Sequence, residues 1–197
     1  MKARILGCSG GIGGRHLRTT SILVNHDVLI DSGTGVADLS LAELALIDHV
    51  FLTHSHLDHI AALPLMIDTV GDMRDKPLVV HATDAVLQII RNHIFNWAVW
   101  PDFSEIPSVD TPFMTFHTIR LGQKIKVGDL TVTPVPAEHT VPAVGYHLDS
   151  GDASLVFSGD TTVNDRFWPV VNKIGNLRHL IIECAFSNRE EKLARLS

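Results

Sequence analysis

His49-Val50-Phe51-Leu52-Thr53-His54-Ser55-His56-Leu57-Asp58-His59 is the stretch on which the reading of this chain turns. Its first five residues form an apolar run that reads as a buried strand. The last six hold three imidazoles and a carboxylate. His54 and His56 are two apart, so an extended backbone directs both to one side. Asp58 and His59 follow where the chain turns into a helix. Donors spread over a strand tip, a turn and a helix start can surround two metal ions rather than one. Imidazole with carboxylate suits zinc, manganese or iron. A turn that is merely polar is the competing reading, and four ligand-type residues at this spacing after a strand outweigh it.

Working outward, the 197 residues suit one domain with a real core. Their 45% hydrophobic content is too high for disorder. A formal net charge of −6 argues against a nucleic-acid surface of the basic-patch kind, but not against a small phosphate substrate held by metal ions. Cys8 and Cys184 form no CxxC pair, so neither a disulfide framework nor a thiolate zinc site is expected. Both lie in apolar, strand-like runs and read as buried free thiols. No apolar run reaches the length of a membrane span, and a cytoplasmic enzyme is expected. Twelve histidines are more than a chain of this size carries without chemical use.

No repeat or linker divides the chain. Strands are predicted over 3–7, 21–25, 28–31, 49–53 and 78–81, and helices over 41–47, 59–70 and 84–96. Residues 97–107 read as an ordered aromatic loop. Strands are then expected over 113–119, 124–127, 130–135, 144–148 and 154–158. A helix over 164–174, a buried strand over 179–184 and a helix over 189–196 follow. Two mixed β-then-α halves predict two sheets face to face with helices outside, a four-layer αββα sandwich. The glycine cluster Gly10-Gly11-Ile12-Gly13-Gly14 has no helix pattern after it and reads as a loop beside the site, not a dinucleotide turn.

Six residues cannot fill two coordination shells, so further ligands are sought at the ends of buried strands. His139 follows one such run, Val135-Pro136-Ala137-Glu138. Asp160 follows another, Val156-Phe157-Ser158-Gly159, where glycine lets the backbone turn sharply. Taken alone, His139 has a competing reading as a loop histidine and Asp160 as a helix-cap or turn aspartate. Beside HSHLDH both become ligand candidates.

On Asp31-Ser32-Gly33, HSHLDH at 54–59, His139 and Ser158-Gly159-Asp160-Thr161, the chain resembles the metallo-β-lactamase superfamily over nearly its whole length. That resemblance implies the αββα fold and a dinuclear centre. His54, His56 and His139 would hold one metal, Asp58 and His59 the second, and Asp160 would bridge them. Asp31 would brace the HSHLDH loop through hydrogen bonds. The family adds a last histidine for the second metal. This sequence ends at Ala194-Arg195-Leu196-Ser197 about where that histidine is expected, which reads as a chain lacking its C-terminal strand and helix, or as divergence.

Finer similarity narrows the reaction. His59-Ile60-Ala61-Ala62-Leu63-Pro64 and the aromatic segment around Trp100-Pro101-Asp102-Phe103 look like class II cyclic-nucleotide phosphodiesterases. This implies hydrolysis of a 3',5'-cyclic nucleotide by a hydroxide raised between two metal ions. Trp100 and Phe103 would form a wall on the substrate side, although a packed hydrophobic loop explains them as well. The stretch after His139 is also similar to tRNase Z, an endoribonuclease of the same fold. Glu183 resembles the glutamate that works beside the final histidine there. Against it stand Leu57 in place of glycine and the lack of a long basic arm for tRNA. Asp58 would orient the hydroxide, and Glu183 and His147 are the candidate proton donors, Glu183 reading equally as a structural carboxylate at a strand end. A thioester hydrolase and a metal-binding sensor domain without activity are the other readings. Dimers are common in such folds, but no patch for a homodimer can be assigned.

Overall fold

The computed structural model describes residues 1–185. The chain divides into two compact units, one of Lys2–Thr118 and one from Ile119 onward, and each carries its own sheet. The mixed α/β class with two sheets is as expected.

In the N-terminal unit the sheet order is β1-β2-β3-β4-β5-β6. The strands are β1 (Ala3–Gly7), β2 (Ser21–Val24), β3 (Val28–Ile30), β4 (His49–Phe51), β5 (Leu78–Ala82) and β6 (Met114–Thr118). β1, β2 and β3 are antiparallel, and β3 to β6 run parallel. Parallel neighbours need crossovers, and helices supply them. α1 (Leu41–Ala45) joins β3 to β4. α2 (Leu57–Ile60) and α3 (Leu63–Val70) join β4 to β5, and α4 (Asp84–His93) joins β5 to β6. α1 starts in a capping box: Ser40 accepts from the Glu43 N–H, and Glu43 accepts from the Ser40 N–H. In α3 the buried residues Leu63, Met66, Ile67 and Val70 fall at i, i+3, i+4 and i+7, a single stripe. Pro64 sits in the first turn, where its missing N–H costs nothing. That stripe packs with Val86, Leu87 and Ile90 of α4 on alternate strand residues Leu29, Val50, Leu78, Val80 and Met114. The helices thereby cover one face of this sheet.

The second sheet has the order β11-β10-β9-β8-β7. Its strands are β7 (Ile125–Val127), β8 (Leu130–Pro136), β9 (Val144–Asp149), β10 (Ser154–Phe157) and β11 (Leu177–Ile181). All pairs are antiparallel except β10 with β11. Val135 and Val156 pack with Phe167 and Val171, the latter from α5 (Trp168–Val171).

Three expectations need correction. The helix foreseen over 164–174 shrinks to Trp168–Val171. The Asn164 side chain accepts from the Arg166 and Phe167 N–H groups, which holds a turn there, and Pro169 tolerates only a helix's first turn. The strand foreseen as buried over 179–184 is Leu177–Ile181 and mostly exposed; among the described residues it stands at the sheet's edge and pairs with β10 alone. Cys8 and Cys184 are free thiols but exposed, since each lies past the end of a strand and not inside it. The helix foreseen over 189–196 falls outside the described residues. Among those described, no helix is long and apolar enough to cross a membrane.

Candidate metal centre

Both units present their candidate residues just past the carboxyl ends of strands. In the N-terminal unit Asp31 directly follows β3, and Leu52-Thr53-His54 follows its parallel neighbour β4. Strand ends of this kind leave side chains clear of the ladder and facing a crevice. Asp31 has a positive φ of 56°, a conformation that aspartate tolerates and that turns its carboxylate back over the β4 end. Its carboxylate is fully buried and takes three donors. The Thr53 N–H donates to Oδ1 at 2.7 Å, the Thr53 hydroxyl to Oδ2 at 2.8 Å, and His59 Nδ1 to Oδ2 at 2.7 Å.

This network assigns two tautomers. Thr53 has one hydroxyl proton and spends it on Asp31. Toward His54 Nδ1, 3.0 Å away, Thr53 Oγ1 can then only accept. His54 therefore carries its proton on Nδ1. His59 carries its own on Nδ1 as well, since it donates to Asp31. Each ring is left to ligate through Nε2, the pattern by which an outer carboxylate sets a ligand histidine.

The donor geometry fits a cation. His54 and His56 have ligand-capable atoms within 4.8 Å of one another, and so do His54 and His59. The ring centres of His54 and His59 are 4.1 Å apart, and those of His54 and His56 are 4.7 Å apart. His59 Nε2 lies 3.5 Å from Asp58 Oδ2. Two donors at ordinary metal-bond lengths on one tetrahedral ion lie about 3.4 Å apart. Neutral imidazoles and a carboxylate form a borderline donor set suited to zinc, manganese or iron.

The support extends beyond Asp31. The Ser32 N–H donates to the His59 carbonyl and the Ala62 N–H to the Ser32 carbonyl, which pins α2 to the Asp31 turn. Gly33 lies so close that an added Cβ would strike the Asp58 carbonyl oxygen and Thr19 Oγ1. The glycine-rich loop also reaches this region: a Cβ on Gly10 would sit 4.0 Å from Asp58 Oδ2.

In the C-terminal unit, β8, β10 and β11 all point the same way, so the residues after them gather at one sheet edge. His139 follows β8, Asp160 follows β10, and Glu183 follows β11. The loops bearing His139 and Asp160 are tied through their flanking residues. The Glu138 N–H donates to Thr161 Oγ1 at 3.0 Å, and the Thr162 N–H to the Glu138 carbonyl at 2.7 Å. Gly159 takes the sharp turn at φ 63°. Glu183 Oε2 accepts the Thr161 N–H at 2.6 Å, and the Glu183 N–H donates to Ser158 Oγ at 3.1 Å. Asn164 reaches back to the Pro136 carbonyl at 3.0 Å.

The aromatic pair belongs to the packing of the N-terminal unit. Phe103 is 6% exposed in the hydrophobic core of the N-terminal unit, its ring centre 6.3 Å from that of Phe113, and Trp100 packs against the same core. Thr53, Glu138, Thr161 and Asn164 were not singled out from sequence as braces. The available signal was position: Thr53 and Thr161 are direct chain neighbours of candidate ligands.

A strand-end histidine loop braced by a buried carboxylate makes a candidate metal centre. The chain belongs to the beta-lactamase superfamily: the family's domain matches residues 26–195. It is similar to Ribonuclease Z of Thermococcus kodakarensis, 28% identical over 130 residues, which are 64% of this chain and 38% of that protein. It is equally similar to a probable 3',5'-cyclic-nucleotide phosphodiesterase of Yersinia pestis, 28% identical over 123 residues, 60% of this chain and 34% of the relative. The chain thus spans well under two thirds of the length of these relatives. Among solved structures, unliganded yeast PDE1 shares the fold with a TM-score of 0.77 at 15% identity, over 97% of this chain and 77% of that one.

Proposed function

We propose that this chain, taken as one metallo-β-lactamase-type domain, is a metal-dependent phosphodiesterase whose substrate is a 3',5'-cyclic nucleotide. In this reading His54, His56 and His139 would hold one divalent ion, Asp58 and His59 a second, and Asp160 would be a ligand shared by the two. Zinc is the preferred ion, with manganese or iron as alternatives. The observation that carries the reading is the Asp31–Thr53 network, which commits Nδ1 of both His54 and His59. Two such ions would supply Lewis acidity and a water of lowered pKa.

The chain's own residues do the rest. Asp58 has a side chain 22% exposed, so it can orient an attacking water while His59 beside it stays buried. Asp31 keeps the imidazoles in one tautomer throughout turnover. The water oxygen forms a bond to phosphorus, the bond to the leaving oxygen breaks, and the leaving alkoxide takes the proton. Glu183 is expected to position the Asp160 loop through Thr161, a role its contact with the Thr161 N–H supports better than that of proton donor.

A small substrate is favoured over tRNA by the net charge of −6. Similarity to Ribonuclease Z supports a second reading, cleavage of precursor tRNA. Both readings break phosphodiesters, so the first experiment is metal analysis followed by hydrolysis of bis(p-nitrophenyl) phosphate. Full metal occupancy with no hydrolysis would overturn both and leave a metal-binding sensor domain. Turnover of cAMP but not of precursor tRNA selects the first, and the reverse selects the second.

A further inference from the structure

A second group of histidines lies outside HSHLDH. His81 of β5 stands directly opposite His117 of β6 in a parallel pair, so both side chains share one face of the sheet. Phe51 of β4 is the partner of His81 on its other side, and His49, two residues earlier, projects to that same face. The Phe51 and His81 rings stack with centres 4.2 Å apart and planes 5° from parallel, which holds the His81 ring in place. His81 is 2% exposed, whereas His117 is exposed.

We propose that His81 Nδ1 and the His117 ring bind one divalent late-transition ion, with His49 holding His81 from behind. Three observations converge. His49 Nδ1 and His81 Nε2 are 3.0 Å apart, so one imidazole proton lies between them. With that proton on His81 Nε2, His81 Nδ1 is a lone pair, deeply buried and without a hydrogen-bond partner. A buried acceptor left in that state is unfavourable, and a ligand on it would offset that cost. The ring centres of His81 and His117 are 4.9 Å apart, tilted by 45°. Two imidazoles on one ion, at bond angles from square to tetrahedral, place their ring centres about 4.5–5.2 Å apart.

The electrostatics agree. Burial, with the neighbouring His49 and His117 rings, lowers the His81 pKa to about 3, and burial lowers that of His49. The His81 ring is thus neutral and available as a ligand at neutral pH. Exposed His117 leaves the remaining coordination positions to water. Two imidazoles select for the late first-row ions, of which Cu2+ binds most tightly. The hydrogen bond from His81 Nε2 to His49 is the outer partner that ligating histidines use.

The test is titration of the metal-free full chain with Cu2+ alone. Bound equivalents are counted by equilibrium dialysis, and nitrogen ligation is read by electron paramagnetic resonance. His117→Ala should bind one equivalent fewer than the native chain. His49→Phe should weaken that equivalent by about 10–100-fold, and His56→Ala should leave it in place. Equal equivalents in His117→Ala and the native chain would overturn the proposal. The outcome is separate from that of the HSHLDH ligands: were those not to bind, the native chain would still hold one Cu2+ and His117→Ala none. His117 is exposed, so its removal does not threaten the fold.

Discussion

Asp31 can be tested with two substitutions that separate stability from ligation. In Asp31→Ala the Thr53 N–H and His59 Nδ1–H lose their acceptor inside a fully buried pocket. Each unsatisfied buried donor costs about 1–3 kcal/mol, so the metal-free protein should lose about 2–6 kcal/mol. Asp31→Asn keeps an oxygen for the Thr53 N–H but sets an amide N–H2 against His59 Nδ1 and the Thr53 hydroxyl. Two donors facing each other force His59 to move its proton to Nε2, the atom assigned to the metal. Stability should then fall by only about 1–3 kcal/mol, while metal affinity falls by about 10–100-fold. The first quantity is read from urea midpoints in chelator, the second from competition with a zinc indicator. If Asp31→Asn bound zinc within twofold of the native protein, the tautomer argument would be wrong.

Gly159→Ala should destabilise by about 1–2 kcal/mol, because φ is 63° there, and should also weaken metal binding through the Asp160 turn. Urea unfolding and metal competition measure the two. Ser40→Ala removes one half of the capping box and should cost about 1 kcal/mol with no change in metal affinity. His81 has a pKa lowered from 6.5 to about 3, so the unfolded chain takes up its proton first as pH falls. The metal-free protein should therefore be fully stable on this account above pH 6.5 and lose up to about 1.4 kcal/mol per pH unit below it, toward pH 3. His81→Phe should remove that share of the slope in urea midpoints taken between pH 6 and pH 4. Glu183→Gln should keep metal affinity and turnover within a few-fold, because its amide oxygen still accepts the Thr161 N–H, while Glu183→Ala lowers metal affinity by about 10–100-fold.

The parts of this molecule that followed from sequence are those where residue type and spacing have one physical meaning. The apolar run at 49–53 and the i, i+3, i+4, i+7 stripe from Leu63 gave a strand and a helix close to those observed. HSHLDH gave a histidine cluster, because no packing requirement puts so many donors in six positions. What failed depended on partners far along the chain. The run at 179–184 reads as buried, yet the strand there, β11, begins two residues earlier with Arg178 and His179 exposed, since burial depends on whether a strand is central or at an edge, and the residues do not say which. Trp100 and Phe103 carried two meanings, and Phe103 is in the core. Thr53 and Thr161 are common residues whose bracing role exists only through Asp31 and Glu183, 22 positions away in both cases.

Those two threonines show why Glu183 is better read with Asp31 than with a general acid. Thr53 directly precedes the candidate ligand His54, and Thr161 directly follows the candidate ligand Asp160. Each gives its backbone N–H to a carboxylate that stands just past the end of the neighbouring parallel strand, Asp31 after β3 and Glu183 after β11. Two adjacent parallel strands end at the same level, so a carboxylate after one can reach a backbone donor in the turn after the other, a donor the ladder has stopped using. The same device thus appears in each unit, built on strands of unrelated sequence. A general acid needs a proton to give. Glu183 Oε2 accepts the Thr161 N–H at 2.6 Å, and its backbone N–H donates to Ser158 Oγ, so the residue is tied to the turn that carries Asp160 through side chain and backbone alike. If Glu183 were the proton donor, Glu183→Gln would lose at least about 100-fold in turnover with its metal affinity intact. A fall of metal affinity in Glu183→Ala, with both properties kept in Glu183→Gln, is what the bracing geometry requires.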